Sequence, residues 1–228
     1  MNPESRIEST LATLRRASEE FQPLVMASSL GAEDMVLTDM IFRNELPVSI
    51  FTLDTGRLPE ATQRLLARIE TVYGRTLRVY FPESGAVESF ISTYGVNGFY
   101  HSGDARKACC GVRKVALLKR ALAGQKAWVT GLRRDQSPTR AALTQEAWDS
   151  EHGLVKLSPL MHWTREDVWH YIAAYQVPYN ALHDQGYASI GCSPCTRAIQ
   201  PGEEERAGRW WWEHPETKEC GLHLANVS

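Results

Sequence analysis

Long apolar runs are absent from this chain of 228 residues, and so is a large excess of charge of either sign. No stretch reaches the length of a signal-peptide core or a membrane span, so we expect a cytoplasmic protein without membrane contact. A formal net charge of −2 at pH 7 argues against a nucleic-acid-binding protein. Basic residues nevertheless occur in local groups, which suits a small anionic ligand better than a long polyanion.

The chain is too short for two ordinary domains, yet with 43% hydrophobic residues it can bury one substantial core. We therefore predict one domain over residues 1–228. Its predicted parts are an N-terminal helix over 1–21, a core over 22–199 and a C-terminal tail over 200–228. Glycine, proline and charge dominate from Gly186 onward, and they predict a poorly packed, mobile tail.

Short apolar runs alternate with helical patterns along most of the chain. The predicted strands cover residues 23–27, 48–53, 77–81, 127–130 and 154–160. Helical spacing follows the first two strands, recurs over 105–122, and begins again after a capping box over 164–167. This alternation predicts an α/β fold with a Rossmann-like, doubly wound, mostly parallel sheet.

Polar segments follow three of these strands: Ser28 to Asp34, Leu53 to Arg57, and Gly131 to Arg140. Ligands of such sheets bind at the carboxyl ends of the strands. The positions of the three segments therefore predict a binding site at one edge of the sheet.

The segment from Ser28 to Asp34 offers hydroxyl groups, a glycine at Gly31 and a helix N-terminus, which together suit a phosphate or sulfate group. An ordinary strand-to-helix turn with a serine cap explains the same pattern. Glu33 and Asp34 oppose an anion but also stabilise a helix dipole without any ligand. The segment alone leaves both interpretations open.

The segment from Gly131 to Arg140 carries arginines at positions 133, 134 and 140. Guanidinium groups match phosphate or sulfate oxygens in pairs of hydrogen bonds, so we predict that this loop binds an anion. The alternative is a solvated run of charge.

Five cysteines are present, and four of them form two pairs, Cys109 with Cys110 and Cys192 with Cys195. Thiols stay reduced in the cytoplasm, so the pairs indicate a metal site more than disulfides. The thiolates of a tetrahedral zinc site lie within roughly 4 Å of each other, and the side chains of adjacent residues diverge. A [4Fe-4S] cluster accepts such neighbours on different irons, and we predict it over zinc or inert buried thiols. Lys114 adds a positive charge beside this cluster.

The fifth cysteine, Cys220, lies between Lys218 and His223. These cations favour its thiolate, which predicts a nucleophile, although a surface thiol without function is the alternative. Trp210, Trp211 and Trp212 follow Arg206 and Arg209, and we predict that they pack the tail onto the body of the protein.

These motifs together resemble the assimilatory adenylyl-sulfate (APS) reductases, within the larger group of phosphoadenylyl-sulfate reductases and pyrophosphate-loop nucleotide enzymes. The resemblance runs from about Ser28 to Leu224. It rests on the polar segments after the strands, the two cysteine pairs with Arg113 and Lys114, and the motif from Lys218 to His223. It implies an adenine nucleotide alpha-hydrolase-like fold and reduction of APS in sulfate assimilation for cysteine biosynthesis.

In that family reaction, the thiolate at the position of Cys220 attacks the sulfur of APS, which leaves S-sulfocysteine and releases AMP. Thioredoxin or a similar dithiol then releases sulfite. The resemblance implies that Arg206 and Arg209 close over the phosphosulfate and that Lys114 links substrate to cluster, whose role is electrostatic and structural. The implied substrate-binding residues are Ser28, Ser29, Gly31, Glu33, Asp34, Leu53, Thr55, Gly56, Arg57, Lys114, Gly131, Arg133, Arg140, Arg206, Arg209 and His223.

Three alternatives remain at this stage. A phosphoadenylyl-sulfate (PAPS) reductase shares the tail cysteine but usually lacks the two cysteine pairs. An ATP-dependent pyrophosphate-loop ligase or sulfurtransferase is expected to carry a loop with more glycine than Gly31 alone. A zinc-stabilised nucleotide-binding protein without activity is the third. We expect no nucleic-acid or membrane partner, and the sequence is compatible with a homo-oligomer.

Overall fold

The computed structural model describes residues 3–137 and 140–213. Internal contacts divide these residues into two compact units. Unit 1 comprises the residues up to Thr52, Glu60–Arg78 and Gly124–Ala181, and unit 2 comprises Leu53–Pro59, Val79–Ala123 and the residues from Leu182 onward. The single domain over 1–228 and its internal boundaries stay predictions.

Within the described residues, six strands form one sheet in the order β3-β2-β1-β4-β6-β5. Their bounds are β1 Leu24–Ser28, β2 Ser49–Leu53, β3 Arg78–Tyr80, β4 Ala127–Val129, β5 Glu146–Asp149 and β6 Leu154–Leu157. Strand β1 pairs in parallel with β2 and β4, and β4 pairs in parallel with β6, whereas β5 is antiparallel to β6. The predicted mostly parallel, doubly wound sheet is confirmed. The edge strand β5 was not predicted.

Seven α-helices accompany the sheet in the described part of the chain. They are α1 Pro3–Glu20, α2 Ala32–Arg43, α3 Glu60–Tyr73, α4 Ser84–Tyr94, α5 Gly103–Cys110, α6 Ala116–Leu122 and α7 Arg165–Tyr175. A π-helical turn over Gly111–Val115 joins α5 to α6, directly after the first cysteine pair. No helix among the described residues is long and apolar enough to cross a membrane.

The core of unit 1 lies around strands β1 and β4, whose apolar side chains point to both faces of the sheet. Met26 of β1 lies opposite Ile50 of β2 and Val129 of β4, and all three side chains are buried. The order of the sheet reverses between β1 and β4, which makes the end of this strand pair the expected place for a ligand. The segments after β1 and β4 therefore lie side by side.

The core of unit 2 is built from aromatic rings and thiols. Trp210, only 1% exposed, packs with Phe90, Phe99 and three cysteines. Its backbone N–H donates to the carbonyl of Cys195 over 3.2 Å. The prediction that tryptophan packs the tail onto the body is confirmed at this position. The burial of this one ring does not test the prediction of a poorly packed, mobile tail over 200–228, which stays a prediction.

Candidate functional site

In unit 1, the loop from Ser28 to Asp34 is stabilised by hydrogen bonds between side chains and backbone groups of the loop itself. The N–H of Leu30 donates to Ser28 Oγ over 3.2 Å, and the N–H of Gly31 donates to Ser29 Oγ over 3.3 Å. Gly31 caps α2, so the loop runs directly into a helix N-terminus, where free N–H groups favour anions. Leu30 adopts a φ of 62°, a left-handed conformation that branched side chains rarely take.

Asp34 joins this loop to the segment after β4. Its carboxylate accepts from the N–H and the Oγ of Ser29, both over 2.6 Å, and from the N–H of Gly131. A Cβ on Gly131 would lie 2.3 Å from Asp34 Oδ1, so only glycine permits this approach. Burial raises the pKa of Asp34 to about 6, although the bonds from Ser29 act in the opposite direction.

Arg133 is buried and pairs with two carboxylates within unit 1. Its Nε donates to Glu33 Oε1 over 2.9 Å, and its Nη1 pairs with Asp135. Arg140 donates to the side-chain oxygen of Gln136. The sequence interpretation had treated Glu33 as opposed to an anion, whereas here it neutralises an arginine of the neighbouring loop. Substrate contacts of Ser28, Ser29, Gly31, Glu33, Asp34, Gly131, Arg133 and Arg140 stay predictions.

In unit 2, the segment from Leu53 to Arg57 contacts the second cysteine pair. Thr55 Oγ1 lies 3.2 Å from Cys192 Sγ, and the carbonyl of Arg57 accepts from the N–H of Ser193 over 2.8 Å. Gly56 has a φ of 70°, and a Cβ there would lie 3.3 Å from the guanidinium of Arg113. The segment after β2 therefore supports the cysteines, and substrate contacts of Leu53, Thr55, Gly56 and Arg57 stay predictions.

All four paired cysteines line one pocket of unit 2. They are free thiols, and all but Cys110 are buried. Helix α5 supplies Cys109 and Cys110, and a 3-10 turn over Ser193–Cys195 separates the other two. Five cationic side chains line the same pocket: Arg57, Arg106, Arg113, Lys114 and Arg209.

Burial raises the pKa of Cys195 to about 11, and Lys114 and Arg209 act in the opposite direction. Burial also raises the pKa of Cys109, while Arg113 and Arg57 lower it. The pocket thus combines thiols that lose hydration with cations that favour their thiolates. Such an environment suits an anionic metal cluster with thiolate ligands better than it suits free thiolates.

The arrangement of the four thiols bears on the kind of metal site that they could form. No three His, Cys, Asp or Glu side chains among residues 3–137 and 140–213 are arranged to hold one metal ion. A cluster with several irons binds thiolates that are further apart than those of a single zinc ion. Arg209 Nε is buried and has no hydrogen-bond partner in the described structure. This donor, beside the thiols, fits an acceptor within the pocket.

Arg209 lies close to the backbone just before Cys192. A Cβ on Gly191 would lie 2.4 Å from the Arg209 guanidinium, and Arg209 Nη1 donates to the carbonyl of Ile190 over 3.2 Å. Arg206 is half-buried, and its carbonyl accepts from the N–H of Arg209. Cys220 and His223, the predicted nucleophile and a predicted contact, lie outside the described residues. Their roles stay predictions.

Sequence reasoning did not assign a role to Arg106 or Arg113 in this pocket. Arg106 precedes Cys110 by four residues, and Arg113 follows Cys109 by four. The available signal was therefore an arginine about one helical turn from each cysteine. The predicted position of Lys114 beside the cysteines is supported, because Lys114 lines the pocket and lowers the pKa of Cys195.

Comparisons with known proteins agree on one family. Residues 23–198 match the phosphoadenosine phosphosulfate reductase domain. The adenosine 5'-phosphosulfate reductase of Allochromatium vinosum is 56% identical over 96% of this chain and 86% of its own length. The enzyme of the same name from Burkholderia cepacia is 48% identical over 98% of this chain and 90% of its own. The crystal structure of PAPS reductase from Candida auris superposes with a TM-score of 0.71 at 30% identity, over 83% of this chain and 90% of that one.

Proposed function

The chain belongs to the phosphoadenosine phosphosulfate reductase family, among its adenosine 5'-phosphosulfate reductases, and on this basis we propose that it reduces APS to sulfite and AMP. The reaction serves sulfate assimilation, and thioredoxin or a similar dithiol supplies two electrons. The observation that carries the proposal is the gathering of four thiols and their cations in one pocket of unit 2. The same chain has a fifth cysteine, Cys220, which lies outside the described residues and is the proposed nucleophile.

In the proposed first step, the Cys220 thiolate attacks the sulfur of APS. A sulfur–sulfur bond forms as the bond from sulfur to the phosphate oxygen breaks, and AMP leaves. In the second step, one thiolate of the dithiol attacks Cys220 Sγ and sulfite leaves. The second thiol resolves the mixed disulfide, so the dithiol is oxidised and the thiol of Cys220 is restored.

The charged oxygens of APS require neutralisation during this attack. We assign this role to Lys114, Arg206 and Arg209 in unit 2. Arg209 supports the assignment because its Nε is a buried donor without a partner. Arg133 and Asp34 also hold the two loops of unit 1 together, and their substrate contacts stay predictions.

We further propose that Cys109, Cys110, Cys192 and Cys195 hold a [4Fe-4S] cluster. When bound, the cluster contributes an electrostatic and structural influence and does not transfer electrons. The fit rests on four thiols around one pocket and on Thr55 Oγ1, which lies 3.2 Å from Cys192 Sγ. Thiolate ligation would overcome the raised pKa of Cys195, because metal binding releases the proton.

The function can be tested by supplying APS, PAPS or ATP to anaerobically purified protein in the presence of reduced thioredoxin. We expect sulfite and AMP from APS, at a rate far above that with PAPS, and none from Cys220→Ser. Sulfite release from PAPS at an equal or higher rate would replace the proposal with PAPS reduction. Pyrophosphate release from ATP and magnesium, without sulfite from either nucleotide, would identify an ATP-dependent ligase instead.

A further inference from the structure

Unit 2 contains a buried ion pair between Arg106 of α5 and Glu213. Arg106 Nε donates to Glu213 Oε1 over 2.7 Å, and Arg106 Nη2 donates to Glu213 Oε2 over 3.0 Å. The two side chains are only 2% and 9% exposed. Removing one partner of such a buried ion pair is costly, because the remaining charge stays buried without hydration.

The arginine of this pair belongs to the helix of the first cysteine pair. Arg106 lies one turn before Cys110, and its guanidinium interacts with the Cys110 thiol. The same guanidinium lies over the ring of Trp210, 4.7 Å from its centre. Arg106 thus contacts the proposed cluster site and the tryptophan segment at once.

The glutamate of this pair lies three residues after the buried Trp210. The N–H of Glu213 donates to the carbonyl of Trp210 over 2.9 Å, so Glu213 continues the turn that buries this tryptophan. Cys220 follows Glu213 by seven positions. Seven residues span at most about 25 Å, so the position of Glu213 limits where the Cys220 thiol can reach.

From this geometry we infer that Arg106 and Glu213 are positioning residues for the nucleophile. The pair fixes the origin of the segment that carries Cys220 to the helix of the cysteine pair. Fixing the origin raises the effective concentration of the thiolate at the substrate sulfur, in the way that a matched linker does. The inference rests on the proposed function, because Cys220 acts as the nucleophile there.

The burial of Trp210 separates this role from general folding. Trp210 would remain anchored without Glu213, through its backbone bond to Cys195 and its contact with Arg209, 4.6 Å from the ring centre. What the ion pair adds is the direction of the chain three residues later. Loss of the pair should therefore release the chain at Glu213 while Trp210 stays packed.

The test uses full-length, iron-loaded protein and the rate at which saturating APS, without reductant, adds a sulfonate to Cys220. For Glu213→Gln we expect a rate about tenfold lower, with the Kd of APS and the iron content within twofold of wild type. Arg106→Lys keeps the charge but loses the fork of two bonds, and should be intermediate. Glu203→Gln is the matched control, since Glu203 forms a half-exposed pair with Arg197.

A second readout does not depend on activity. Hydrogen exchange of residues 210–213 should be faster in Glu213→Gln, with exchange in α5 unchanged. A sulfonation rate equal to wild type in Glu213→Gln and Arg106→Lys overturns the inference, as does a slower rate that follows iron loss in proportion. Absence of any adduct on the wild-type protein would instead remove the proposed function on which the inference depends.

Discussion

Asp34 is the residue that connects the two candidate loops of unit 1. Its carboxylate accepts hydrogen bonds from the N–H and the hydroxyl group of Ser29 and from the N–H of Gly131. Those donors are therefore engaged by the protein itself, and the carboxylate shapes the loop without requiring a ligand. We expect substitutions at this residue to change the stability of the protein and the pH dependence of that stability.

Asp34→Asn should alter stability in a defined pH window. Burial raises the pKa of Asp34 from 3.8 to about 6, so between these values the folded chain holds the proton more tightly than the unfolded chain. Stability contributed by this group is present below pH 3.8 and is lost as the pH rises to about 6.

The expected loss across that window is at most about 3 kcal/mol. Asparagine does not titrate, so the decrease in unfolding free energy between pH 4 and pH 7 should be smaller in Asp34→Asn. Urea unfolding at both pH values measures this, and Asp104→Asn, at a carboxylate that is 96% exposed, is the control. An unchanged pH dependence in Asp34→Asn would contradict the assignment.

Gly131→Ala should destabilise the protein because the added methyl group meets the Asp34 carboxylate. The Cβ would lie 2.3 Å from Asp34 Oδ1 and 3.2 Å from its backbone nitrogen. We expect a cost of about 1–3 kcal/mol, seen as a lower Tm. Gly85→Ala, where no heavy atom lies within 4 Å of the new Cβ, should not lower Tm, because alanine at an open helical position reduces the entropy of the unfolded chain. An equal Tm for the two variants would show that the loop accommodates the added methyl group without loss of stability.

At the scale of elements, apolar runs and helical spacing predicted most of the sheet and its helices. Strands β1, β2 and β4 carry consecutive buried residues, which is the pattern that a parallel sheet produces. Strand β5 escaped prediction because three of its four residues are exposed, and an edge strand carries little apolar signal. The π-helical turn after Cys110 also leaves no periodic signal, because it changes the register of a continuous helix.

The residue types of the candidate site were predictable, but the partners of its charged groups were not. Cysteine pairs and arginine loops are visible in the sequence. The pairing of Arg133 with Glu33 joins residues 100 positions apart, and it depends on the adjacency of β1 and β4. Sequence alone therefore could not show that Glu33 is the ion-pair partner of Arg133.

The capping box that begins α7 gives a test at this scale. Asp167 N–H donates to Thr164 Oγ1 over 3.2 Å, and Thr164 N–H donates to Asp167 Oδ2 over 2.7 Å. Thr164→Ala should cost about 1 kcal/mol and lower Tm by about 2–4 °C. Thr93→Ala, which removes an exposed hydroxyl within α4, is the control and should change Tm by less. A Tm for Thr164→Ala equal to that of the control would show that the cap does not stabilise α7.

At the scale of the whole molecule, the five cysteines divide into two proposed roles. Four line one pocket of unit 2, and Cys220 lies in the sequence beyond the described residues. The division predicts different consequences for cysteine substitutions. Loss of a paired cysteine should remove the cluster, whereas loss of Cys220 should remove only the chemistry.

Metal analysis of the anaerobically purified chain checks this division. We expect about four irons and four sulfides per chain in the wild type and in Cys220→Ser, and a large loss of both in Cys192→Ser. Zinc without sulfide in the wild type would refute the cluster. Iron loss in Cys220→Ser would show that Cys220 is a cluster ligand, which contradicts its proposed role as the nucleophile.

The most direct test of the proposed function is the intact mass of iron-loaded protein after exposure to APS without reductant. The account predicts one added sulfonate per chain, located on Cys220 by peptide mapping and absent in Cys220→Ser. PAPS under the same conditions should give little or no adduct. Fully active, cluster-loaded protein that gains no sulfonate from APS would contradict the account, because the proposed first step cannot proceed without that adduct.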